Sequence, residues 1–169
     1  MAVADADALR AGAIYLVTYL ITSLGVFGVM AHVSSPMAGR DLEDLGEYRG
    51  LFWQRPYVAS ILIAMLLSLA GVPLTAGFIG KFVVIGVGVQ AAQWWLVGGI
   101  VLASAIGAYY YLRVIGAVLA VSTGGMTAER PRWVVTASGI MLLLAFMVTL
   151  WLGVYPQPLF EFGSRLALP

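Results

Sequence analysis

Hydrophobic and polar positions divide the chain into four long apolar blocks, at about residues 12–33, 57–91, 95–121 and 133–154. A helix of about 20 residues crosses the ~30 Å hydrocarbon core of a bilayer, so the first, third and fourth blocks each predict one transmembrane helix. The block at 57–91 is too long for one straight crossing and too short for two crossings joined by a turn. The pattern therefore predicts an all-α membrane protein with four transmembrane helices, the second of them irregular.

The irregularity is expected at the sequence GVPLTAG, residues 71–77, near mid-membrane. Pro73 lacks a backbone N–H and biases the preceding residue away from helical angles, while Gly71 and Gly77 tolerate angles that other residues resist. Unpaired backbone inside a membrane must face protein or water, so a broken helix predicts such a neighbour. A proline-kinked packing helix is the alternative interpretation.

Composition agrees with a membrane protein, since 62% of the 169 residues are hydrophobic and 10% are charged, against about 25% charged residues in soluble domains. The chain has no cysteine, so it cannot supply cysteine ligands to a metal or an iron–sulfur cluster. Its net charge of +1 gives no indication of nucleic-acid binding. We expect no metal or cofactor site in this chain, and we expect residues 12–33 to remain as a span rather than a cleaved signal.

Basic residues indicate the orientation of the chain in the membrane. Five arginines lie in the loops 34–56 and 122–132, against two near the termini. The positive-inside rule therefore predicts that both loops are cytoplasmic and both termini periplasmic, with residues 1–169 forming a single transmembrane domain. The charged loop at 34–56 is also amphipathic, which predicts a short surface helix for docking on the membrane or on a neighbour.

Lys81 is the one lysine of the chain, and it lies inside the second apolar block. All eight acidic residues lie outside the blocks or at their edges. An ammonium group at the bilayer centre costs at least ~2.5–3.5 kcal/mol, so Lys81 must lose its proton, contact water or pair with an acid on another polypeptide. A buried lysine can exchange between charged and neutral forms, which a proton relay requires. Snorkelling and structural pairing are the alternatives.

Other polar residues inside the blocks are candidates for a proton path. In the first block Tyr15, Thr18, Tyr19, Thr22 and Ser23 form one helical stripe, which either lines a hydrated path or bonds to another helix. His32, at the cytoplasmic end of that block, suits proton entry, although a satisfied or interfacial histidine is the favoured interpretation. Tyr111 shares a helical face with Ser104 and could extend the path, or it could serve packing. Arg113 can snorkel and receives no role.

The chain closely resembles the C-terminal part of the antiporter-like subunits of proton-pumping NADH-quinone oxidoreductase, respiratory complex I. The resemblance rests on YRGLFWQRP, LSLAGVPLTAGFIGKF, GVQAAQWWLV, SAIGAYYYLRV and LGVYPQPL, and it favours the subunit N family over its two homologues. It implies an inverted-repeat fold in which 57–91 is the broken helix of the second repeat. It also implies that Lys81 corresponds to the proton-channel lysine of that repeat.

The resemblance implies a membrane-arm subunit of a proton-translocating NADH:quinone oxidoreductase in a bacterial inner membrane. The partners would be other membrane-arm subunits, the N-terminal helices of subunit N and the lipid bilayer, with no nucleic acid. FMN, iron–sulfur clusters, NADH and quinone would bind elsewhere in the complex, and no complete active site is expected in this chain. Since such subunits have more helices, we expect a truncated form or one piece of a split subunit.

Two other functions remain open from the sequence. One is a subunit of a multi-subunit cation/proton antiporter, which shares the broken helix and the lysine. The other is a structural or assembly fragment that does not pump protons, for which Lys81 would be dispensable.

Overall fold

The computed structural model describes residues 2–34, 44–121 and 137–166, and the regular structure in these ranges is entirely helical. The elements are α1 (Ala2–Ser34), a 3-10 helix (Leu45–Tyr48), α2 (Leu51–Gln54), α3 (Pro56–Ala70), α4 (Ala76–Gln90), α5 (Trp94–Leu119), α6 (Ala137–Val154) and α7 (Gln157–Leu166). The prediction of an all-helical fold is confirmed.

Two of the described helices are long and apolar enough to cross a membrane by themselves, namely Ala6–Val33 within α1 and the whole of α5. Gly139–Val154 and Gln157–Ser164 qualify together, although they meet at an angle of 86°. Helices α3 and α4 are apolar but have only 15 residues each. Length and composition therefore give two or three spans in the described residues, and the count of four transmembrane helices stays a prediction.

Several boundaries differ from those expected. Helix α1 continues toward the N-terminus well beyond residue 12, because its polar first turns are compatible with a helix. The second half of the 34–56 loop contains the 3-10 helix and α2, where the sequence predicted one short surface helix. Helix α7 was not anticipated. The loop 122–132 and the first part of the 34–56 loop lie outside the described residues.

Helix α3 forms the centre of the main packed cluster, between α1, α5 and α6. Leu62 and Met65 of α3 are fully buried, as are Val29 of α1 and Val118 of α5. Lipid tails are as apolar as these side chains, so close packing rather than water exclusion stabilises such a cluster in a membrane. By contrast, the most apolar part of α5 has no buried residue, so most of the surface of this helix is exposed.

A second cluster lies beneath the junction of α3 and α4. Ile14 of α1, Ala76 of α4, Leu152 of α6 and Leu159 of α7 are its buried members. Through this cluster, the first turns of α4 are held against α1, while α7 packs across α1 near its N-terminal half. The start of α4 is therefore fixed by three other helices.

Candidate functional site

The site is built around the interruption between α3 and α4. Helix α3 ends at Ala70 and α4 begins at Ala76. Gly71 has a φ of 89°, and its N–H donates to the carbonyl of Ser68 at 3.0 Å, while Val72 N–H donates to Leu67 at 3.0 Å. This pair of bonds is a Schellman motif, for which glycine in the left-handed region is the usual residue. The chain thus ends α3 cleanly before Pro73.

The two half-helices stay in direct contact across the interruption. The backbone N–H of Gly77 donates to the hydroxyl of Ser68 at 3.1 Å, which links the start of α4 to the last turn of α3. A methyl group on Gly77 would overlap the carbonyl oxygen of Ser68. Gly77, expected within the break, is thus the second residue of α4, and its lack of a side chain permits this close approach.

Lys81 lies one turn further along α4 and turns back toward α3. Its Nζ donates to the carbonyl of Leu69 at 2.6 Å and to the carbonyl of Ala70 at 3.2 Å. Carbonyls in the last turn of a helix have no helical N–H partner, and they form the negative end of the helix dipole. The carboxyl end of α3 therefore attracts the ammonium group. The side chain passes over Gly71, where an added Cβ would lie 3.2 Å from Cδ.

Lys81 also faces a cavity of about 250 Å³ between α1, α3, α4 and α5. The polar groups of its wall are the hydroxyls of three tyrosines and one serine, together with the lysine itself: Tyr15, Tyr19, Tyr111, Ser104 and Lys81. Hydroxyl groups both donate and accept hydrogen bonds, so this wall can hold water in several orientations. The rest of the wall is apolar, from Leu69, Val84, Ile100 and Ala103, so the cavity is a mainly apolar space in which hydroxyl groups lie near the one lysine of the chain.

Only some of the residues predicted for a proton path line the cavity. Tyr111 shares the cavity with Lys81. Thr18 and Thr22 are buried, and their hydroxyls bond within α1, from Thr18 to Ile14 at 2.9 Å and from Thr22 to Thr18 at 2.5 Å. Neither threonine lines the cavity, and their role in a path stays a prediction.

His32 is also absent from the cavity wall. It lies in the last turn of α1, 17 residues beyond Tyr15, which corresponds to about 25 Å along the helix. Tyr15 and Tyr19, which the sequence identified only as members of a polar stripe, line the cavity instead. The signal that could have selected them is their position across the cavity from Ser104 and Tyr111, which requires knowing that α1 and α5 lie on opposite sides of that cavity.

Acidic groups do not contribute to this cavity within the part of the chain that the structure describes. Its lining contains no aspartate or glutamate, and the described residues form no group of three His, Asp or Glu side chains that could hold a metal ion. The chemistry available at the site is therefore proton exchange between an amine, hydroxyls and water.

A family model described as the transmembrane family of NADH:quinone oxidoreductase and Mrp antiporters matches residues 1–107. The chain belongs to this family of antiporter-like membrane proteins, since the match covers more than half of its length. This membership, together with the apolar helices, places the chain in a membrane.

Within that family the chain is similar to subunit N. It is 52% identical over 162 residues to the NADH-quinone oxidoreductase subunit N of Ectopseudomonas mendocina. It is 48% identical over 162 residues to subunit N of Chromohalobacter salexigens. The alignments cover 95% of this chain but only 33% and 34% of the two relatives. The predicted resemblance to subunit N is confirmed, and the chain spans about a third of the length of these relatives.

Two solved structures have the same fold. One is respiratory complex I from Thermus thermophilus with bound aureothin, with a TM-score of 0.71 and 28% identity over 92% of this chain and 35% of the other. The second is the Mrp complex from Dietzia sp. DQ12-45-1b, with a TM-score of 0.77 and 23% identity. That match covers 94% of this chain and 37% of the other, and at this identity it shows the fold alone.

Proposed function

We propose that this chain provides the C-terminal portion of subunit N in a proton-translocating NADH:quinone oxidoreductase, where Lys81 exchanges protons with a hydrated path. The chain is 52% and 48% identical in sequence to two subunit N proteins but only 23% identical to the Mrp complex. This difference supports a subunit N role over a role in a cation/proton antiporter. The helix pair α3 and α4 would form one broken crossing of the membrane.

The observation that carries this proposal is the position of Lys81 Nζ. It lies at the carboxyl end of α3, bonded to two carbonyls and facing a cavity whose wall carries four hydroxyl groups. Carbonyl oxygens stabilise the charge of the ammonium group. The adjacent cavity is large enough for several water molecules, which could accept its proton. A lysine serving packing alone would need neither.

The rest of the complex would supply what this chain lacks. Flavin, iron–sulfur clusters and the quinone site would be held by other subunits, and electron transfer there would bias the charge on Lys81. Further helices of subunit N, together with adjacent membrane-arm subunits, would cover part of the exposed surface and provide an acidic partner for the lysine. In this arrangement the termini of the chain lie on the periplasmic side.

The test replaces Lys81 by Ala and by Arg in the complete subunit within the assembled complex. Proton uptake into vesicles is measured with NADH and a quinone, alongside NADH oxidation and complex assembly on native gels. Lys81→Ala should reduce pumping and the electron transfer coupled to it, while leaving assembly intact. Lys81→Arg should fail as well, because the guanidinium does not release its proton at physiological pH.

Gln90→Ala is a matched control, since Gln90 is an exposed polar residue at the far end of the same helix. It should pump at the wild-type rate. Normal pumping by Lys81→Arg would contradict the proposal, because a fixed positive charge would then be sufficient.

A further inference from the structure

Two arginine side chains line a cleft at the end of α5 that is remote from Trp94. This arginine cleft has a volume of about 420 Å³ and lies between α5 and the 3-10 helix. Its lining combines two arginines with small residues: Arg49, Arg113, Leu45, Gly46, Gly116, Ala117 and Ala120. The small residues leave the space beside the two arginines open.

The two arginines of this cleft are available to a ligand. Both are exposed, and neither forms an ion pair with a carboxylate among the residues that the structure describes. The nearest acidic residue along the 3-10 helix, Glu47, does not line the cleft, and its carboxylate accepts the N–H of Asp44 at 3.4 Å. The cleft is therefore positively charged, and its guanidinium groups have the geometry that binds phosphate oxygens.

The depth of the cleft matches the headgroup region of a bilayer. Trp95 is 96% exposed at the start of α5, as an interfacial anchor would be. Arg113 follows it by 18 residues, or about 27 Å of helix, which approaches the ~30 Å thickness of the hydrocarbon core. Trp53 lies at the same end, exposed, with its indole N–H donating to the carbonyl of Leu119 at 3.1 Å. This aromatic residue marks the opposite interface.

An apolar track leads from the arginine cleft toward the membrane centre. Tyr109, Ile106 and Leu102 precede Arg113 at helical spacings of four, seven and eleven residues, so they lie on the same face of α5. All three side chains are more than half exposed. The face therefore presents a charged end at headgroup depth and an apolar surface below it.

We propose that the arginine cleft binds the phosphodiester headgroup of an anionic phospholipid of the phosphatidylglycerol class, whose acyl chains lie along Leu102, Ile106 and Tyr109. Charge complementarity selects an anionic headgroup over a zwitterionic one, while the apolar track selects a lipid over free phosphate. This site is separate from the cavity at Lys81, since the two linings share no residue, and the inference does not rest on the proposed function.

The test uses the complete subunit in its complex, reconstituted into phosphatidylcholine vesicles doped with a phosphatidylglycerol that carries a photoactivatable acyl chain. Labelling is mapped to peptides by mass spectrometry. The wild type should be labelled within residues 102–113. Each basic residue near an anionic lipid contributes about 1 kcal/mol to binding, which is about fivefold in affinity. Arg113→Gln and Arg49→Gln should therefore each reduce labelling about fivefold, and the double variant should reduce it about 30-fold.

Arg55→Gln is the matched control, because Arg55 lies near the same membrane surface but does not line the cleft. It should be labelled like the wild type, and Arg113→Lys should retain most labelling because it keeps the charge. Assembly on native gels identifies any variant that fails to fold. If Arg113→Gln does not assemble, the labelling of Arg113→Lys is used to test the proposal instead.

Four outcomes would overturn the proposal. Equal labelling of the wild type and the double variant would show that the arginines do not bind the lipid. Equal labelling by a matching phosphatidylcholine probe would show contact without headgroup recognition. Full competition by inorganic phosphate would identify a site for the free anion. Absence of labelling in the wild-type complex would show that another subunit covers this face.

Discussion

Hydroxyl groups near Lys81 differ in what they can do, because some face the cavity and others are bonded within a helix. The hydroxyl of Tyr111 lies on the cavity wall with Lys81. The hydroxyl of Thr18 already donates into its own helix, at 2.9 Å to Ile14 and 2.9 Å to Tyr15. A bonded and buried hydroxyl cannot relay a proton to the cavity without first breaking these contacts.

If Lys81 exchanges protons as proposed, Tyr111→Phe should slow proton pumping, whereas Thr18→Val should leave it close to wild type. Loss of one hydroxyl from a water-holding wall costs about 1 kcal/mol, so we expect a roughly fivefold reduction for Tyr111→Phe. Proton uptake in vesicles, normalised to the amount of assembled complex, is the measurement. The reverse order of the two variants would show that the path runs through α1 instead of the cavity.

The sequence identified Lys81 from its isolation among apolar residues, and it identified Tyr111 from the face that it shares with Ser104. It could not identify the partners of Lys81, which are main-chain carbonyls of Leu69 and Ala70. Every residue has a carbonyl, so no side-chain pattern marks the two that accept a hydrogen bond. Their selection depends on how α4 folds back against the end of α3.

The junction of α3 and α4 depends on a close approach between backbones at Gly77. Gly77→Ala should destabilise the subunit by about 2–3 kcal/mol, because the added methyl meets the carbonyl of Ser68, which cannot move as a flexible side chain would. The midpoint temperature for disassembly of the purified complex in detergent is the measurement.

Gly86→Ala provides the matched control for this prediction. Gly86 lies in the same helix, and a Cβ there would have no heavy atom within 4 Å. The change should be neutral or stabilise α4 by up to about 1 kcal/mol, as alanine is the better helix former. Similar losses for both variants would mean that the junction does not require its close contact.

The location of the break was accessible from the sequence because Gly71 and Pro73 each act locally. Gly71 supplies the left-handed residue that ends α3, and Pro73 cannot continue it. The position of Gly77 inside α4 was not accessible, since a glycine that permits packing and one that permits an unusual φ look the same in a sequence. Only its contact with Ser68 distinguishes them.

The two ends of the chain's helical assembly carry different groups. One end holds the N-terminal half of α1 together with α7, where a Cβ on Gly163 would lie 3.1 Å from Ile14. The other end holds Val33 of α1 with Tyr48 and Leu51, which belong to one buried cluster. Asp44 and Glu161 are exposed near these opposite ends.

Single cysteines at these two positions should therefore react on opposite sides of the membrane. The 169 residues contain no cysteine, so each replacement is the one thiol in this sequence. If the arginine-rich loops are cytoplasmic, an impermeant thiol reagent added to intact cells should label Glu161→Cys and spare Asp44→Cys. Permeabilised cells are the control in which both should be labelled. The opposite pattern would reverse the proposed orientation.

Apolar block lengths predicted the extent of α5 to within two residues at each end, because a span must match the bilayer. They did not predict the 86° bend after α6. Pro156 and Pro158 mark an interruption there, but the direction of the chain beyond it depends on the packing of Leu159 in the cluster that also contains Ile14 and Ala76. Long-range packing of this kind leaves no local sequence pattern.

The two hydrogen bonds from Lys81 to α3 allow the charge at this position to change without a change of shape. A lysine ammonium has three N–H donors, and Leu69 and Ala70 accept two hydrogen bonds from Nζ. A neutral amine keeps two N–H donors, so both contacts can persist when the remaining proton leaves toward the cavity. Discharge would then require only motions of water and side chains and no displacement of a helix. The half-helices would hold the same positions in both charge states.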